Sequence, residues 1–179
     1  MKWLAPLVLL TACGRVSFEP LDDGGGPGGG GDGPRGDGAT TDTGSGSACS
    51  FTGTPSCPTA GASLNLAGTY NSSGHTSGEG SGLAGSCGGA NAEEHTVQFV
   101  VMATATYTFT TRGSDYNTVL YLRASCGGAE LACNDDFATD GHSAITIALT
   151  QGQNVIAVVD GANGLCGNYA LAVGTSVTP

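Results

Sequence analysis

The chain has 179 residues, of which 32 are glycine and 7 are cysteine, and its formal net charge at pH 7 is −10. This length allows one domain with additional segments. Once an N-terminal segment containing Lys2 is removed, four arginines (Arg15, Arg35, Arg112 and Arg123) remain against fifteen acidic residues, a net charge of −11. Nucleic-acid phosphates and anionic lipids repel a chain this acidic, which also lacks a basic cluster. Nucleic-acid binding is therefore not expected, and membrane attachment requires a covalent anchor.

The N-terminus has the features of an export signal. Lys2 provides a positive charge, and residues 3–10 form an apolar run far shorter than the ~20 residues of a membrane-spanning helix. The sequence Leu10-Thr11-Ala12-Cys13 follows, and it resembles the lipobox of bacterial lipoproteins. This resemblance implies a signal peptide at residues 1–12, cleavage before Cys13, and attachment of lipid, palmitate included, to that cysteine. The alternative is an ordinary secretory signal with an incidental cysteine.

The lipobox resemblance also implies an address in the cell envelope. Two or more acyl chains anchor a protein stably, whereas a single chain binds membranes only marginally. Gly14 follows the cysteine, and in enterobacterial lipoproteins it is an Asp at this position that favours retention in the inner membrane. We therefore expect a lipid-anchored protein of the outer membrane that faces the periplasm or the cell surface.

Two segments of low complexity precede the strand-rich part of the chain. Residues 13–48 are expected to form the lipidated cysteine and a disordered tether, because residues 22–47 are almost entirely Gly, Asp, Pro, Ser and Thr. A flexible tether of roughly 35 residues reaches about 30–35 Å, enough to hold a domain clear of the lipid headgroups. Residues 49–86 are interpreted as a Ser/Thr/Gly-rich extension with one strand, at residues 63–70.

From His95 onward the sequence is typical of β-strands. Short runs rich in Val, Ile, Thr and Tyr end at Gly, Asn or Asp, and most alternate apolar with polar residues. Residues 154–160 are apolar on both faces, as in a central strand. Glu93 and Glu94, just before the first run, are expected to be solvated. The pattern predicts an all-β fold, an antiparallel, jelly-roll-like β-sandwich of about eight strands.

The cysteines indicate an oxidising compartment. Without Cys13, six cysteines remain, and an even number in an exported chain predicts three disulfides. Sequence alone leaves their pairing open among fifteen arrangements. No close cysteine pair recurs with a matching partner pair, so the spacing does not fit a zinc site. The six are Cys49, Cys57, Cys87, Cys126, Cys133 and Cys166.

Residues 87–173 resemble the bacterial pre-peptidase C-terminal (PPC) domain, a β-sandwich appended to secreted proteins. The version with cysteines, found in Gly-rich surface lipoproteins of myxobacteria, is especially similar. Within this stretch Asn117 departs from the family, which commonly has Asp there. The resemblance implies a PPC-like domain at residues 87–179. It rests on Cys87-Gly88-Gly89, Tyr107-Thr108-Phe109, the run from Asn117 to Leu122, the run from Cys126 to Asp136, Val159-Asp160-Gly161 and Cys166-Gly167-Asn168-Tyr169.

The same resemblance implies a disulfide pattern. In it Cys126 pairs with Cys133 across a short hairpin, and Cys87 pairs with Cys166 near the last strand. Cys49 is then left to pair with Cys57.

A cluster of Asx residues is the candidate metal site. Calcium takes six to eight oxygen ligands, which Asp and Asn side chains in neighbouring loops can supply. Related collagen-binding domains of bacterial collagenases bind calcium, so the resemblance makes this ion relevant. The alternative is turn chemistry, in which Asx side chains bond to their own backbone. The candidate ligands are Asp115, Asn117, Asn134, Asp135 and Asp136, with Asp140 nearby.

No catalytic motif is recognisable. His75, His95 and His142 have no metal-binding spacing, and neither a nucleophile motif nor a phosphate loop occurs. Tyr107 and Tyr121 are the candidates for stacking on a ligand. We therefore expect a non-catalytic, surface-tethered module that binds extracellular polysaccharide or protein, with no cofactor other than calcium. The alternatives are a small calcium-dependent hydrolase or hydrolase accessory domain, and a purely structural envelope lipoprotein.

Overall fold

The computed structural model describes residues 47–48, 57, 63–80, 82–175 and 179. The expected signal peptide, Cys13, Cys49 and all but the last two residues of the expected tether lie outside these residues. The eleven strands of the described part are β1 (Ser47–Ala48), β2 (Leu64–Leu66), β3 (Tyr70–His75), β4 (His95–Val101), β5 (Ala105–Thr110), β6 (Thr118–Arg123), β7 (Glu130–Asn134), β8 (Ala144–Leu149), β9 (Asn154–Gly161), β10 (Leu165–Cys166) and β11 (Asn168–Gly174).

Nine of these strands build two packed sheets. The four-stranded sheet has the order β3-β11-β5-β8, and the five-stranded sheet has the order β2-β4-β9-β6-β7. All their pairings are antiparallel except that of β2 with β4. The two short strands β1 and β10 pair with each other. The prediction of an all-β antiparallel sandwich is confirmed, with more strands than the eight or so expected.

Helical structure in the described part is limited to one 3-10 turn, Ala162–Gly164. None of the described residues forms a helix of the length and apolar character that crossing a bilayer requires. The described part of the fold is therefore built almost entirely from β-strands.

The main core fills the space between the two sheets. Alternate residues of β5 and β11 face inward, so that Phe109 and Leu171 are buried while Thr106 and Asn168 are exposed. Strand β9 lies between β4 and β6 and is buried on both faces from Val155 onward, as its apolar sequence predicted. Strand β9 is therefore the central strand of the five-stranded sheet.

Two described strands of the N-terminal extension belong to the sandwich, which corrects the predicted domain boundary at residue 87. Its single expected strand is in fact two strands that enter different sheets: β2 pairs with β4, and β3 pairs with β11 over six residues. The low apolar content of Tyr70–His75 concealed this strand, because an edge strand buries little of its surface. Ser47 and Ala48, expected at the end of the tether, form strand β1.

A Gly-rich segment covers the outer side of the five-stranded sheet. We call residues 82–94 the cover segment. Its Leu83 packs on a second apolar cluster, which lies on the outer face of this sheet. Gly85 and Gly88 exchange two backbone hydrogen bonds in a tight turn. The five-stranded sheet is thereby shielded on both sides. The buried members of this outer cluster are Val119, Tyr121, Ile156, Val158 and Ala162.

Candidate functional site

The disulfides differ from the expected pattern. Cys57 bonds to Cys126, and Cys87 bonds to Cys133, each with a Cα–Cα distance of 5.8 Å. Cys166 is also disulfide-bonded. The predicted pairs Cys126–Cys133, Cys87–Cys166 and Cys49–Cys57 are therefore wrong.

The register of the β6–β7 hairpin explains the first error. Cys133 lies opposite Tyr121, whereas Cys126 lies in the turn beyond the last pair, Arg123 with Glu130. Three residues of extended strand place Cys133 about 10 Å down the hairpin from that end, too far for a disulfide with the turn. Cys133 instead meets Cys87 of the cover segment, whose backbone N–H lies 3.2 Å from the Cys133 sulfur.

The two tyrosines expected to contact a ligand are inside the protein. Tyr107 is 1% exposed and Tyr121 is 0% exposed. Tyr107 points into the main core, and its hydroxyl donates to the carbonyl of Ala103 at 2.9 Å. Tyr121 points outward from the five-stranded sheet, but the cover segment lies over it. The prediction that Tyr107 and Tyr121 are ligand-binding surface residues is therefore wrong.

Beneath the cover segment, the side chains of Tyr121 and Asp160 are buried as a hydrogen-bonded pair. The Tyr121 hydroxyl donates to Oδ2 of Asp160 at 3.0 Å, and the backbone N–H of Gly161 donates to Oδ1 at 2.8 Å. Burial raises the pKa of Asp160 to about 8, and the nearby Glu94 adds to this, although the two hydrogen bonds oppose it. Burial, followed by the charge of Asp160, raises the pKa of Tyr121.

The glutamates before β4 hold the cover segment rather than face solvent. Glu94 is fully buried and accepts hydrogen bonds from the backbone N–H groups of Gly82 and Leu83, at 3.2 and 3.3 Å. Glu93 is buried as well. The prediction that this pair is solvated is wrong, because the segment before β4 folds back over the sheet instead of leaving it.

Glycines of the cover segment allow its close approach. A Cβ at Gly85 would lie 2.6 Å from the Cys133 sulfur and 2.8 Å from the Tyr121 ring. A Cβ at Gly89 would collide with the carboxyl group of Asp160, and Gly89 also has a φ of +86°. The glycines of the Cys87-Gly88-Gly89 motif therefore allow the cover segment to pack closely over the Tyr121–Asp160 pair.

The candidate calcium ligands are engaged within the protein. Asp115 accepts hydrogen bonds from the backbone N–H and side-chain amide of Asn168, at 2.8 and 2.6 Å. Asn134 bridges two backbone segments, because its Oδ1 accepts from the N–H of Ala144 and its Nδ2 donates to the carbonyl of Asp136.

The other candidate calcium ligands lie in the same loops. Asn117 is buried against Gly141, and the hydroxyl of Ser143 donates to the carbonyl of Asp135. Across the described residues, no three His, Cys, Asp or Glu side chains converge as a metal ion would require. The roles seen for Asp115 and Asn134 are those of turn and strand-end chemistry.

The histidines lie in separate environments. His95 stacks on Tyr169 with ring centroids 4.5 Å apart and approaches Glu79 at 3.4 Å. His142 approaches Asp140 at 3.4 Å and the carbonyl of Ser114 at 3.0 Å. In neither place does the structure bring a nucleophile, a base and an orienting group together.

No segment within the described ranges is seen to cover the outer side of the four-stranded sheet, where Asn71, Thr106 and Thr146 are exposed, and we call this side the open face. The register aligns a row across all four strands, Asn71, Ala172, Thr110 and Ala144. Beside this row, Thr108 and Thr146 are cross-strand partners whose hydroxyls lie 3.0 Å apart. The open face thus carries small hydroxyl, amide and methyl groups, although Thr110 in the row is itself buried.

A shallow depression of about 300 Å³ lies on the open face where β3 meets β11. It is lined by residues 71–73, residues 170–172 and Arg112. The Arg112 guanidinium lies 3.8 Å from Asp140, and the two side chains are 56% and 43% exposed. Arg123, the other arginine of the described part, is half-buried and donates to the carbonyl of Cys126. Arg112 therefore supplies the positive charge beside the depression.

The comparisons with known proteins give a distant likeness. The chain matches no family model and no curated protein. Among solved structures, it is similar to the pre-peptidase C-terminal domain of collagenase from Bacillus anthracis, with a TM-score of 0.41 and 14% identity. The match covers 62% of this chain and 90% of that domain. At this level the likeness carries no argument about function, and the fold rests on the two sheets themselves.

Sequence reasoning missed Arg112, Phe137 and Asp160. Asp160 lies within the apolar run of β9. A carboxyl group in a strand that is buried on both faces was the sequence signal that could have identified this residue. Phe137 follows Asn134-Asp135-Asp136 in a loop and is 42% exposed. It is an exposed aromatic residue of the kind that the sequence analysis expected among the tyrosines.

Proposed function

We propose that this protein is a non-catalytic lipoprotein of the cell envelope, whose tethered β-sandwich binds extracellular polysaccharide or protein. The proposal includes lipidation at Cys13, a location in the outer membrane, and a PPC-like domain of the cysteine-containing type seen in myxobacterial surface lipoproteins. The lipobox and the motifs of residues 87–173 support these parts.

The observation that carries the binding role is the difference between the two outer surfaces. The five-stranded sheet is sealed by the cover segment, the Cys87–Cys133 disulfide and the hydrogen bonds of Glu94. The four-stranded sheet presents an open face with a depression beside an exposed arginine. A surface of hydroxyl and amide groups offers donors and acceptors to a partner without further rearrangement.

A structural role is the second candidate, and the same surface favours it. The open face consists of small side chains such as Thr106, Ser73 and Ala172, which suit close packing of a passive envelope protein. A passive protein of this kind would retain no ligand when isolated.

Substitutions on two surfaces test the binding role. Thr146 is exposed at the centre of β8 on the open face, whereas Gln151 is exposed in the turn after β8. We expect Thr146→Trp to reduce capture of extracellular polysaccharide or surface protein, and Gln151→Trp to leave capture unchanged. Equal capture by both variants would place the binding surface elsewhere, and no capture by the unsubstituted chain would favour the structural role.

The anchor is tested separately. Metabolic labelling with palmitate should mark the protein, and Cys13→Ser should abolish the label and move the protein out of the membrane fraction. Retention of label in Cys13→Ser would exclude this cysteine as the lipid attachment site.

A further inference from the structure

We propose that the Arg112 end of the depression, together with Phe137, is a subsite for a neutral polysaccharide. This inference rests on the proposed binding function and selects one of its two ligand classes. It also names residues of the binding site, whereas the proposed function assigns binding only to the open face as a whole.

The first observation is a chain of contacts that joins the depression to the β7–β8 loop. Arg112 lines the depression and approaches Asp140 at 3.8 Å. Asp140 approaches His142 at 3.4 Å, and the carbonyl of His142 accepts a hydrogen bond from the N–H of Phe137 at 2.6 Å. A cation, a carboxylate and an imidazole are thereby held at one end of the sandwich, next to the loop that carries Phe137.

The second observation is the exposure of Phe137. Phe137 is 42% exposed in a loop, so part of its apolar surface is open to contact with the ring of a sugar. The chain turns directly after it, because Ala138 has a left-handed φ of 67°, which a residue other than glycine rarely adopts. The hydrogen bond from Phe137 to His142 closes this turn.

The third observation is the mixture of donors and acceptors. A sugar hydroxyl both donates and accepts, so it can bridge the Arg112 donors and the Asp140 acceptors at the same time. The ion pair between these exposed groups is long and weak and costs little to open. Asn71 and Ser73 add an amide and a hydroxyl on the other side of the depression.

The charge of the chain selects a neutral ligand. With a formal net charge of −10, the protein repels an acidic polysaccharide at a distance, and Asp140 opposes it at the subsite itself. A neutral polysaccharide experiences neither repulsion, and its binding should depend little on salt.

The test uses the full chain carrying Cys13→Ser, so that it is isolated without lipid. Binding is measured to immobilised dextran, laminarin and mannan, with alginate as an acidic comparison. We expect saturable binding to at least one neutral polysaccharide, with little effect of salt. Phe137→Ala should weaken this binding by about 3- to 10-fold, the usual contribution of an aromatic contact.

Matched variants separate the subsite from general effects. Met102 is 42% exposed, like Phe137, so Met102→Ala removes an equally exposed apolar side chain at a different place. Arg112→Gln should weaken binding as Phe137→Ala does, whereas Met102→Ala should not. Equal thermal midpoints would show that the variants are folded.

The possible results are distinct. Binding to a neutral polysaccharide that survives both Phe137→Ala and Arg112→Gln would overturn this inference and leave the proposed function intact. A chain that captures a surface protein but none of the neutral polysaccharides would also overturn the inference. Capture of neither ligand class would reject the proposed function itself.

Discussion

The Tyr121 hydroxyl donates a hydrogen bond to Oδ2 of Asp160 at 3.0 Å, and both side chains are fully buried beneath the cover segment. The bond connects neighbouring strands β6 and β9 on the outer side of the five-stranded sheet. Burial disfavours the charged carboxylate and the negative charge of Glu94 adds to this effect, so the pKa of Asp160 is raised and its protonated form is favoured in the folded state.

Asp160 should make the protein less stable as pH rises. Its pKa is about 8 in the folded state against a usual value of 3.8, so the folded state binds the proton more tightly than the unfolded state does. The stabilising contribution is fully present below pH 3.8 and is lost as pH rises to about 8. We expect the free energy of unfolding to fall by about 1–3 kcal/mol between weakly acidic and weakly alkaline pH.

Asp160→Asn should flatten this dependence, because an amide keeps the shape of the side chain and does not ionise. Denaturant unfolding over the same pH range measures the effect. Asp136→Asn, at an exposed position, serves as the control and should keep the slope of the original protein. An unchanged slope in Asp160→Asn would show that another group is responsible.

Gly89→Ala should destabilise the protein by more than backbone strain alone. A Cβ there would collide with the Asp160 carboxyl group, and the φ of +86° adds a cost of about 1 kcal/mol. Gly152→Ala is the matched control, since Gly152 has a φ of +83° and nothing within 4 Å of its Cβ position. We expect chemical denaturation to show a further loss of about 1–3 kcal/mol for Gly89→Ala. Equal losses in the two variants would mean that the segment is not packed on Asp160.

Removal of the Cys87–Cys133 disulfide by the double substitution Cys87→Ala and Cys133→Ala should cost about 4 kcal/mol. The bond spans 46 residues of sequence, and the chain-entropy relation gives this value for a loop of that size. The pairing itself is checked by mass spectrometry of peptides from the non-reduced protein. A peptide that links Cys87 to Cys166 would contradict the structure.

Calcium should not raise the thermal midpoint. A ligand that binds only the folded state must stabilise it, so a calcium site in the Asx loops would be visible by this measurement. Asp115 and Asn134 are instead used to hold Asn168 and Ala144. We expect equal midpoints in excess calcium and in chelator. A clear rise with calcium would show that these loops rearrange to bind the ion.

Strand periodicity predicted the sandwich well, because burial against a second sheet imposes alternation directly on the sequence. Strand β9 was identified as central from its apolar residues on both faces, and β11 from alternating Tyr169, Leu171 and Val173. Strand β3 was missed, since Asn71, Ser72 and Ser73 lie at a sheet edge, where little apolar surface is needed.

The candidate site was much less predictable. Tyr121 was expected to be a surface residue that contacts a ligand, and a Gly-rich segment 30 or so residues earlier in the chain buries it. The pairing of Cys87 with Cys133 depends on the same segment. Such contacts are set by tertiary structure, and no local pattern encodes them.

The most direct test of a surface-tethered binding module is the amount of labelled polysaccharide retained by intact cells that express either the original chain or Cys13→Ser. We expect retention on cells with the original chain, and release of both protein and bound polysaccharide into soluble fractions with Cys13→Ser. Equal retention by the two kinds of cell, or by cells that lack the protein, would contradict it.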